Sequence, residues 1–333
     1  MSRSEASSRP EAIYVAGLHK SATMFLYRLF KDIGQDFLRY DVISSNNRPP
    51  NHHDYDKFVD GPFIYVPKRN FLPLSDNIYS RFKVRIFALI RDPRDILVSE
   101  YYSVGFTHSA SIQSNPATVE LRDRIQKGDI DVDRYALMSA LEAVPFADER
   151  RSLHDKLSGL DALLSHARLQ GYDVVVSRYE EMVLAFRDWL EQTLAWAGCP
   201  AAFSTLWEKY RSEFDVESLA KRGKQMAHRR AVIPGDYRTE LRPETIAKLD
   251  EIFGDFLHRH GYPMTGGKRF TRGLHRLGAR LLNGQPKPIP WLLPPRSSTW
   301  QPALILDALA RRIGRVDYRH GARRPRMDDA SRV

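Results

Sequence analysis

Hydrophobic positions along the chain fall into short continuous runs separated by amphipathic stretches. The strand-like runs, several of them rich in Val and Ile, are residues 13–17, 63–66, 84–90 and 173–177. Apolar residues spaced three and four apart predict helices over residues 20–34, 94–104, 133–143, 150–170, 184–198, 201–211 and 243–260. Unbroken apolar strands that alternate with helices are typical of a parallel sheet covered on both faces. We therefore expect a three-layer α/β protein with a central parallel sheet.

Three segments without such periodicity separate the predicted elements. Residues 46–60, 106–132 and 220–235 all read as irregular, and the first is rich in Pro, Asn, His and Asp. In open α/β sheets, ligands bind beside loops at the carboxyl ends of the strands. We expect these loops to form the pocket for a substrate.

Two of the strand-like runs end in basic, hydroxyl-bearing turns that continue as helices, over residues 13–26 and 84–99. The N-terminus of a helix presents unpaired backbone N–H groups and the positive end of the helix dipole, which together favour anions. Two such sites in one sheet indicate a ligand with two separate phosphate-like groups.

In the first turn, Gly17 ends the strand, Lys20 supplies a mobile positive charge, and Ser21 and Thr23 supply hydroxyls. The glycine that precedes Lys-Ser/Thr in a Walker A motif is missing, which disfavours hydrolysis of a nucleoside triphosphate. A solvated Lys-Ser turn before an ordinary helix is the alternative interpretation of this segment alone.

In the second turn, Arg91 ends the strand and Ser99 follows about two helical turns later. Pro93 suits the first turn of a helix, and Asp95 is favourable near its N-terminal end. The planar guanidinium of Arg91 can bind a phosphate through two hydrogen bonds, and Ser99 can donate to the same group.

Both turns resemble those of the cytosolic-type sulfotransferases, which use 3′-phosphoadenosine 5′-phosphosulfate. The family pattern Pro-Lys-Ser-Gly-Thr-Thr-Trp is similar to His19-Lys20-Ser21-Ala22-Thr23-Met24-Phe25. The family pattern Arg-Asn/Asp-Pro-Arg/Lys-Asp-x-x-Val-Ser-x-Tyr is nearly fully matched by residues 91–101. The second match is the specific one. The resemblance implies a P-loop-like fold.

Two weaker matches follow in the family's order, so the resemblance covers roughly residues 12–262. The strand and turn at residues 174–182 resemble the family segment whose tyrosine holds the adenosine, which assigns that role to Tyr179. Residues 230–238 resemble a loop whose arginine binds the 3′-phosphate, which assigns that role to Arg230. There, Ala231 and Val232 replace the family's Lys and Gly, so the loop has fewer donors or a changed shape.

The resemblance implies a donor site that binds 3′-phosphoadenosine 5′-phosphosulfate without a metal. Lys20 would contact the oxygen that leaves sulfur, and backbone N–H groups from Ser21 to Met24 would hold the 5′-phosphate. The complete implied donor set is Lys20, Ser21, Ala22, Thr23, Met24, Arg91, Ser99, Tyr179 and Arg230.

The general base is where the chain departs from the family pattern. The stretch that normally carries a catalytic histidine reads Ile64-Tyr65-Val66-Pro67-Lys68-Arg69-Asn70. Lys68 is better suited to steady the transferred group than to accept a proton. The replacement candidates are His52 and His53, whose side chains titrate near neutrality, Asp41 by analogy with carbohydrate sulfotransferases, and the weaker His108. A solvated surface pair is the alternative interpretation of the two adjacent histidines.

The net charge of +10 comes from one end of the chain. Residues 265–333 hold 15 basic and 4 acidic residues, while the other 264 residues hold 36 basic and 37 acidic. The excess charge therefore belongs to a tail and does not indicate nucleic-acid binding. We predict a disordered N-terminus over 1–11, a catalytic domain over 12–263 and a basic, Pro-interrupted helical tail over 264–333.

The tail contains a basic amphipathic helix near residues 268–281. Such a helix is typical either of attachment to an anionic membrane or acidic polymer, or of packing on the domain or on a partner. No apolar run is long enough to cross a bilayer, the first ten residues carry no hydrophobic signal core, and Cys199 is the only cysteine. We expect a cytoplasmic enzyme, with the membrane surface as a candidate partner.

Three functions stay open on the sequence alone. The leading hypothesis is transfer of a sulfuryl group to a hydroxyl or amine of an acceptor that the sequence does not identify, with a glycan or a lipid-linked molecule as candidates. The second is a small-molecule kinase using ATP and Mg²⁺. The third is a peripheral protein that binds membranes or polyanions and retains a vestigial nucleotide site. The oligomeric state does not follow from the sequence.

Overall fold

A single parallel sheet organises the part of the chain that our computed structural model describes, which comprises residues 11–44, 62–69, 83–107, 115–144, 151–214 and 234–264. Its strands are β1 (Glu11–Gly17), β2 (Asp41–Ile43), β3 (Phe63–Lys68), β4 (Lys83–Ile90) and β5 (Asp173–Arg178). Within these residues the strand order is β2-β3-β1-β4-β5, and each neighbouring pair is parallel. The predicted fold class is confirmed.

Helices make up most of the remaining described residues. They are α1 (Thr23–Asp32), α2 (Pro93–Tyr102), α3 (Pro116–Lys127), α4 (Val132–Leu141), α5 (Leu153–Leu169), α6 (Tyr179–Leu184), α7 (Phe186–Ala197), α8 (Phe203–Phe214), α9 (Tyr237–Glu240), α10 (Pro243–Ile252) and α11 (Gly254–Arg259). The π-helical segments Ile33–Leu38 and Ser103–Thr107 extend α1 and α2, and a short 3₁₀ turn, Pro200–Ala202, precedes α8.

The sheet is covered on both faces because its side chains alternate between them. On one face, Ala88 and its neighbours join a core with residues of α2, α4, α5, α10 and α11. On the other face, the ring of Phe87 lies 5.3 Å from Phe30 of α1 and 5.6 Å from Trp196 of α7. The result is the three-layer arrangement that continuous apolar strands predict.

Local capping explains where several helices begin. The carboxylate of Asp92 accepts a hydrogen bond from the backbone N–H of Arg94, and Pro93 occupies the first position of α2. Asp131 caps α4 by accepting a hydrogen bond from the backbone N–H of Arg134. At α5, the hydroxyl of Ser152 accepts from the backbone of Asp155 at 3.1 Å and donates to its carboxylate at 2.8 Å.

Two described elements differ from the expectation. Helix α3 lies inside residues 106–132, which the sequence analysis predicted to be irregular. That prediction is wrong over residues 116–127. Its few apolar residues, Leu121 and Ile125, pack into a small core with Val104 and Tyr135, while the rest of the helix is largely charged and polar. The signal that could have found it is the Asn115 cap followed by Pro116. The three-residue strand β2 was too short for a periodic pattern to show.

Some expectations fall on residues that lie outside the described part of the chain. These are the loop over 46–60, most of the loop over 220–235, residues 1–10 of the predicted N-terminal segment, and the tail from residue 265 onwards. No helix within the described residues is long and apolar enough to cross a membrane.

The guanidinium of Arg94 ties the turn after β4 to the C-terminal helices. It is fully buried, donates to both carboxylate oxygens of Asp92 at 2.9 and 2.6 Å, and donates to Asp250 of α10 at 2.5 Å. It also donates to the carbonyl of Pro263 at 2.8 Å and lies 4.2 Å from the ring of Tyr237. Burial opposes the charge, but Asp92 and Asp250 outweigh it and raise the pKa of Arg94.

We predict that replacing this guanidinium destabilises the fold strongly. Arg94→Met leaves two buried carboxylates without their cation, which should lower the free energy of unfolding by about 3–5 kcal/mol in urea titrations. The matched control is Arg211→Gln, since Arg211 pairs with Glu208 at 3.0 Å with both side chains more than half exposed. That change should cost less than about 0.5 kcal/mol. Equal losses in the two variants would contradict the role we give to Arg94.

Candidate active site

The two predicted anion-binding turns lie side by side in the structure. Strands β1 and β4 are neighbours, with Gly17 opposite Leu89, so the turns that follow them meet at the carboxyl edge of the sheet. The Nη1 group of Arg91 donates to the backbone carbonyl of Lys20 at 2.7 Å. One turn therefore holds the other in place.

The backbone of the first turn is arranged to leave N–H groups available. The N–H of Ser21 donates to the carbonyl of Leu18 at 3.1 Å, so it is not among the groups that could hold a 5′-phosphate, as the resemblance had implied. Thr23 and Met24 are the first residues of α1, where backbone N–H groups have no acceptor within the helix. Those two N–H groups are the candidates for an anion.

Lys20 and Ala22 both adopt left-handed backbone conformations, with φ of 65° and 56°. This region is unfavourable for residues with a Cβ atom. At Ala22, the sulfotransferase pattern has a glycine, for which the same conformation costs little. The left-handed backbone at Ala22 therefore places strain in this loop.

The half-buried side chain of Lys20 extends from the first turn to the end of α2. Its Nζ donates to the hydroxyl of Ser103, at the end of α2, at 3.0 Å. Burial lowers the pKa of Lys20 to about 8, and the nearby cations Arg91 and Arg69 add to this effect. Glu100 opposes it. The ammonium form therefore lacks a full set of negative partners, which an anionic ligand would supply.

Arg91 is buried with part of its hydrogen-bonding capacity unused. Its guanidinium lies 4.2 Å from the centre of the Tyr179 ring, and the side chain is 4% exposed. Its Nε has no hydrogen-bond partner among the described residues, and the same is true of the buried hydroxyl of Ser21. Buried polar groups usually have partners, so these two atoms are available to a polar ligand at this site.

The segment around Tyr179 is anchored to the second turn. The backbone N–H of Asp92 donates to Glu180 at 3.0 Å, and the hydroxyl of Tyr262 donates to the other carboxylate oxygen at 3.0 Å. Burial raises the pKa of Glu180 to about 7 and the pKa of Tyr179 to about 12. The tyrosine ring is thus a neutral, fixed surface beneath Arg91.

The turn that follows the predicted Arg230 loop is held at the same edge. Asp95 accepts hydrogen bonds from the backbone N–H groups of Gly235 at 2.7 Å and Tyr237 at 3.0 Å. Burial raises the pKa of this carboxyl. Arg230 itself lies outside the described residues, but the chain re-enters them at this anchored turn.

Ser99 lies on the face of α2 that contacts the first turn. It is half-buried, and it precedes by one helical turn Ser103, which receives the hydrogen bond from Lys20. The structure therefore brings together Lys20, Ser21, Ala22, Thr23, Met24, Arg91, Ser99 and Tyr179.

Arg69 is a further cation at this site that sequence reasoning did not single out. It follows β3, and its Nη2 donates to the hydroxyl of Thr23 at 3.0 Å. Its position directly after a buried strand at the carboxyl edge is the signal that could have found it. The preceding Lys68, expected to steady the transferred group, is 2% exposed.

Of the predicted general bases, only Asp41 lies in the described part of the chain, and it is not at this site. Asp41 is exposed at the amino end of β2, where it pairs with Phe63, the first residue of β3. The site lies at the other end of β3, roughly 17 Å away at 3.3 Å per residue. Asp41 is therefore unsuited to accept a proton at this edge. His52, His53 and His108 lie outside the described residues.

Comparison with known proteins yields structural neighbours only. A scan against protein-family models and a search of curated proteins both find no match. The mouse sulfotransferase SULT7A1 complexed with PAP is 15% identical with a TM-score of 0.49, over 82% of this chain and 90% of that one. Retinol dehydratase with androsterone and inactive cofactor PAP is 14% identical with a TM-score of 0.42, over 74% and 80%.

A second structure of retinol dehydratase, with retinol and PAP, is 15% identical with a TM-score of 0.41, over 75% of this chain and 82% of that one. At these identities and TM-scores, the roles of individual residues in this chain rest on the site geometry described above.

The strain at Ala22 predicts an unusual stability change. Ala22→Gly should raise the free energy of unfolding by about 0.5–1 kcal/mol, because glycine adopts the left-handed conformation without a Cβ clash. The matched control is Ala195→Gly in the exposed interior of α7, which should lower it by about 0.5–1 kcal/mol. Urea titrations measure both. A loss of stability in both variants would show that Ala22 is not strained.

Proposed function

We propose that this protein is a sulfotransferase that moves a sulfuryl group from 3′-phosphoadenosine 5′-phosphosulfate to a hydroxyl or amine of an acceptor. The observation that carries the proposal is the pair of neighbouring turns, joined by the hydrogen bond from Arg91 to Lys20, in which two buried polar groups have no partner among the described residues. A ligand with two separated phosphate groups would satisfy both turns at once.

The two ends of the donor would bind to different turns. The phosphosulfate would lie at the start of α1, against the N–H groups of Thr23 and Met24, with Lys20 and Arg69 as its cations. The 3′-phosphate would accept hydrogen bonds from Nε of Arg91, from Ser99 and, as the sequence resemblance implies, from Arg230. Tyr179 would support the adenosine end.

Sulfuryl transfer needs in-line geometry and stabilisation of the charge that develops on the leaving oxygen. Lys20 is suited to the second task, because it is partly shielded from solvent, is cationic when an anion is present, and carries three N–H donors on a long side chain. Its hydrogen bond to Ser103 holds the amine at the carboxyl edge of the sheet before the ligand arrives.

Two alternatives give different outcomes in the same binding experiment. A small-molecule kinase would prefer ATP–Mg²⁺ to adenosine 3′,5′-bisphosphate. A protein whose basic tail binds membranes or polyanions, with a vestigial nucleotide site, would show salt-sensitive binding to anionic vesicles and no turnover. The missing glycine before Lys20 counts against the kinase.

Calorimetric titration with adenosine 3′,5′-bisphosphate tests the donor site directly. We expect binding that is lost with adenosine 5′-monophosphate, and a roughly ten- to hundredfold weaker affinity in Arg91→Ala, because a buried charge-assisted contact is removed. Arg168→Ala removes an exposed cation at the last turn of α5, next to the opposite edge of the sheet, and should leave the affinity unchanged.

Two results would count against this assignment. Unchanged affinity in Arg91→Ala would remove the 3′-phosphate from this turn. If Arg91→Ala proves unstable, Arg91→Lys keeps the charge but loses the planar fork, and it should still weaken the bisphosphate more than the monophosphate.

The lowered pKa of Lys20 predicts that binding takes up protons. With a pKa of about 8, the amine is about half neutral at pH 8, and a bound anion favours its charged form. Calorimetry of the bisphosphate in buffers of different ionisation enthalpy should show uptake of roughly half a proton at pH 8 and almost none at pH 6.5. Affinity should fall as pH rises above 8.

Lys20→Met keeps the length of the side chain without an amine, and in this variant the proton uptake should disappear. Equal uptake in the variant and the parent would mean that another group titrates on binding.

A further inference from the structure

Two consecutive side chains of the first turn reach the same helix end. Lys20 bonds to Ser103, and Nδ1 of His19 lies 3.9 Å from Oε1 of Glu100, in the last turn of α2. Glu100 and Ser103 are three residues apart, so they project from one face of the helix. The imidazole of His19 and the amine of Lys20 therefore lie next to each other at the carboxyl edge of the sheet.

The carboxylate that faces His19 is fixed and charged. The hydroxyl of Ser139, on α4, donates to Oε2 of Glu100 at 2.9 Å, which leaves Oε1 directed to the imidazole. Burial favours the neutral acid, but the interactions with His19, Lys156 and Ser139 outweigh it and lower the pKa of Glu100. At 3.9 Å the carboxylate is too far from Nδ1 for a direct hydrogen bond, and it acts on the imidazole through its charge. A negative charge on that side favours the tautomer with its proton on Nδ1, in which Nε2 is the basic nitrogen.

We propose that His19 is the general base of the reaction, with Glu100 as its positioning residue; this rests on the proposed sulfuryl transfer. As the acceptor oxygen forms its bond to sulfur, the bond from sulfur to the bridging oxygen of the donor breaks. The electron pair of that bond stays on the 5′-phosphate oxygen near Lys20. The proton of the acceptor hydroxyl moves to Nε2 of His19.

The position of His19 suits this task better than the position of Asp41. An in-line reaction places the attacking and leaving oxygens on opposite sides of one sulfur atom, so the base and the leaving-group cation must be close neighbours. His19 and Lys20 are consecutive residues, and both side chains lie at the same helix end, Lys20 hydrogen-bonded to Ser103 and His19 3.9 Å from Glu100. Asp41, in contrast, lies at the amino edge of the sheet.

The test uses the parent chain and water as the acceptor, so that no acceptor has to be known. The rate of formation of adenosine 3′,5′-bisphosphate from the phosphosulfate donor is measured from pH 5 to 9. The charged groups that face the imidazole are Glu100 and Lys20, with Lys156 of α5 acting on the same carboxylate. The parent rate should fall at low pH as the imidazole is protonated, and at high pH as Lys20 loses its proton.

Replacing His19 should remove one limb of this profile. His19→Gln should slow turnover by at least roughly a hundredfold and abolish the low-pH limb, while bisphosphate affinity stays within about twofold. In His19→Gly, added imidazole should restore part of the rate, which a merely structural role does not predict. Glu100→Gln should slow turnover while His19 remains present.

The matched control is His154→Gln. Nδ1 of His154 also lies 3.9 Å from a carboxylate, that of Asp155, but this pair is on the surface. The variant should keep the parent rate.

Each other outcome overturns a defined part of the proposal. A parent-like rate and pH profile in His19→Gln would remove His19 as the base and leave the sulfotransferase proposal intact. Loss of bisphosphate binding in His19→Gln would assign the residue to the donor site instead. A parent chain that fails to bind the bisphosphate would overturn the proposed function and the role of His19 with it.

Discussion

The buried guanidinium of Arg94 is the interaction on which the rest of the described structure depends. Removing a charge from water is costly, so the group is stable only with all its partners in place: Asp92, Asp250 and the Pro263 carbonyl. These partners come from the turn after β4 and from the C-terminal helices. The same Asp92 caps α2, so the charge network sets the start of the helix that carries Ser99, Glu100 and Ser103.

Stability and binding place opposite demands on the neighbouring turns. Arg91, Lys20 and Arg69 are cations gathered at one edge of the sheet, and burial together with mutual repulsion lowers the pKa of Lys20. The left-handed backbone at Ala22 adds strain in the same loop. Such costs are typical of functional sites, where the ligand completes the electrostatics that the empty protein leaves unbalanced. The hydrophobic core and the Arg94 network stabilise the fold against these costs.

Much of the fold could be predicted because its signals are local. The strands of the sheet other than β2 are continuous apolar runs, and α2 and α5 begin at recognisable caps. Helix α3 was missed because only two of its apolar residues are buried, too few to give a periodic pattern. They pack against Val104, in the segment after α2, and Tyr135 of α4. Asp41 was predicted at the site because of its distance in sequence from Lys20, by analogy with carbohydrate sulfotransferases. In the structure it is the first residue of β2 and pairs with Phe63, so it lies at the opposite edge of the sheet. Arg69 and the pair of His19 and Glu100 become visible only when β3, α1 and α2 are brought together.

The sequence by itself determined the α/β class, the two anion-binding turns and the identity of the charged residues they carry. Each of these depends on residues within about fifteen positions of one another, where periodicity, capping and turn chemistry act. Only the tertiary structure decided that the turns are neighbours, that Arg91 holds the backbone of Lys20, and that Glu100 faces His19. Those relations depend on strand order and on burial, because a contact between residues seventy or more positions apart has no local physical signal.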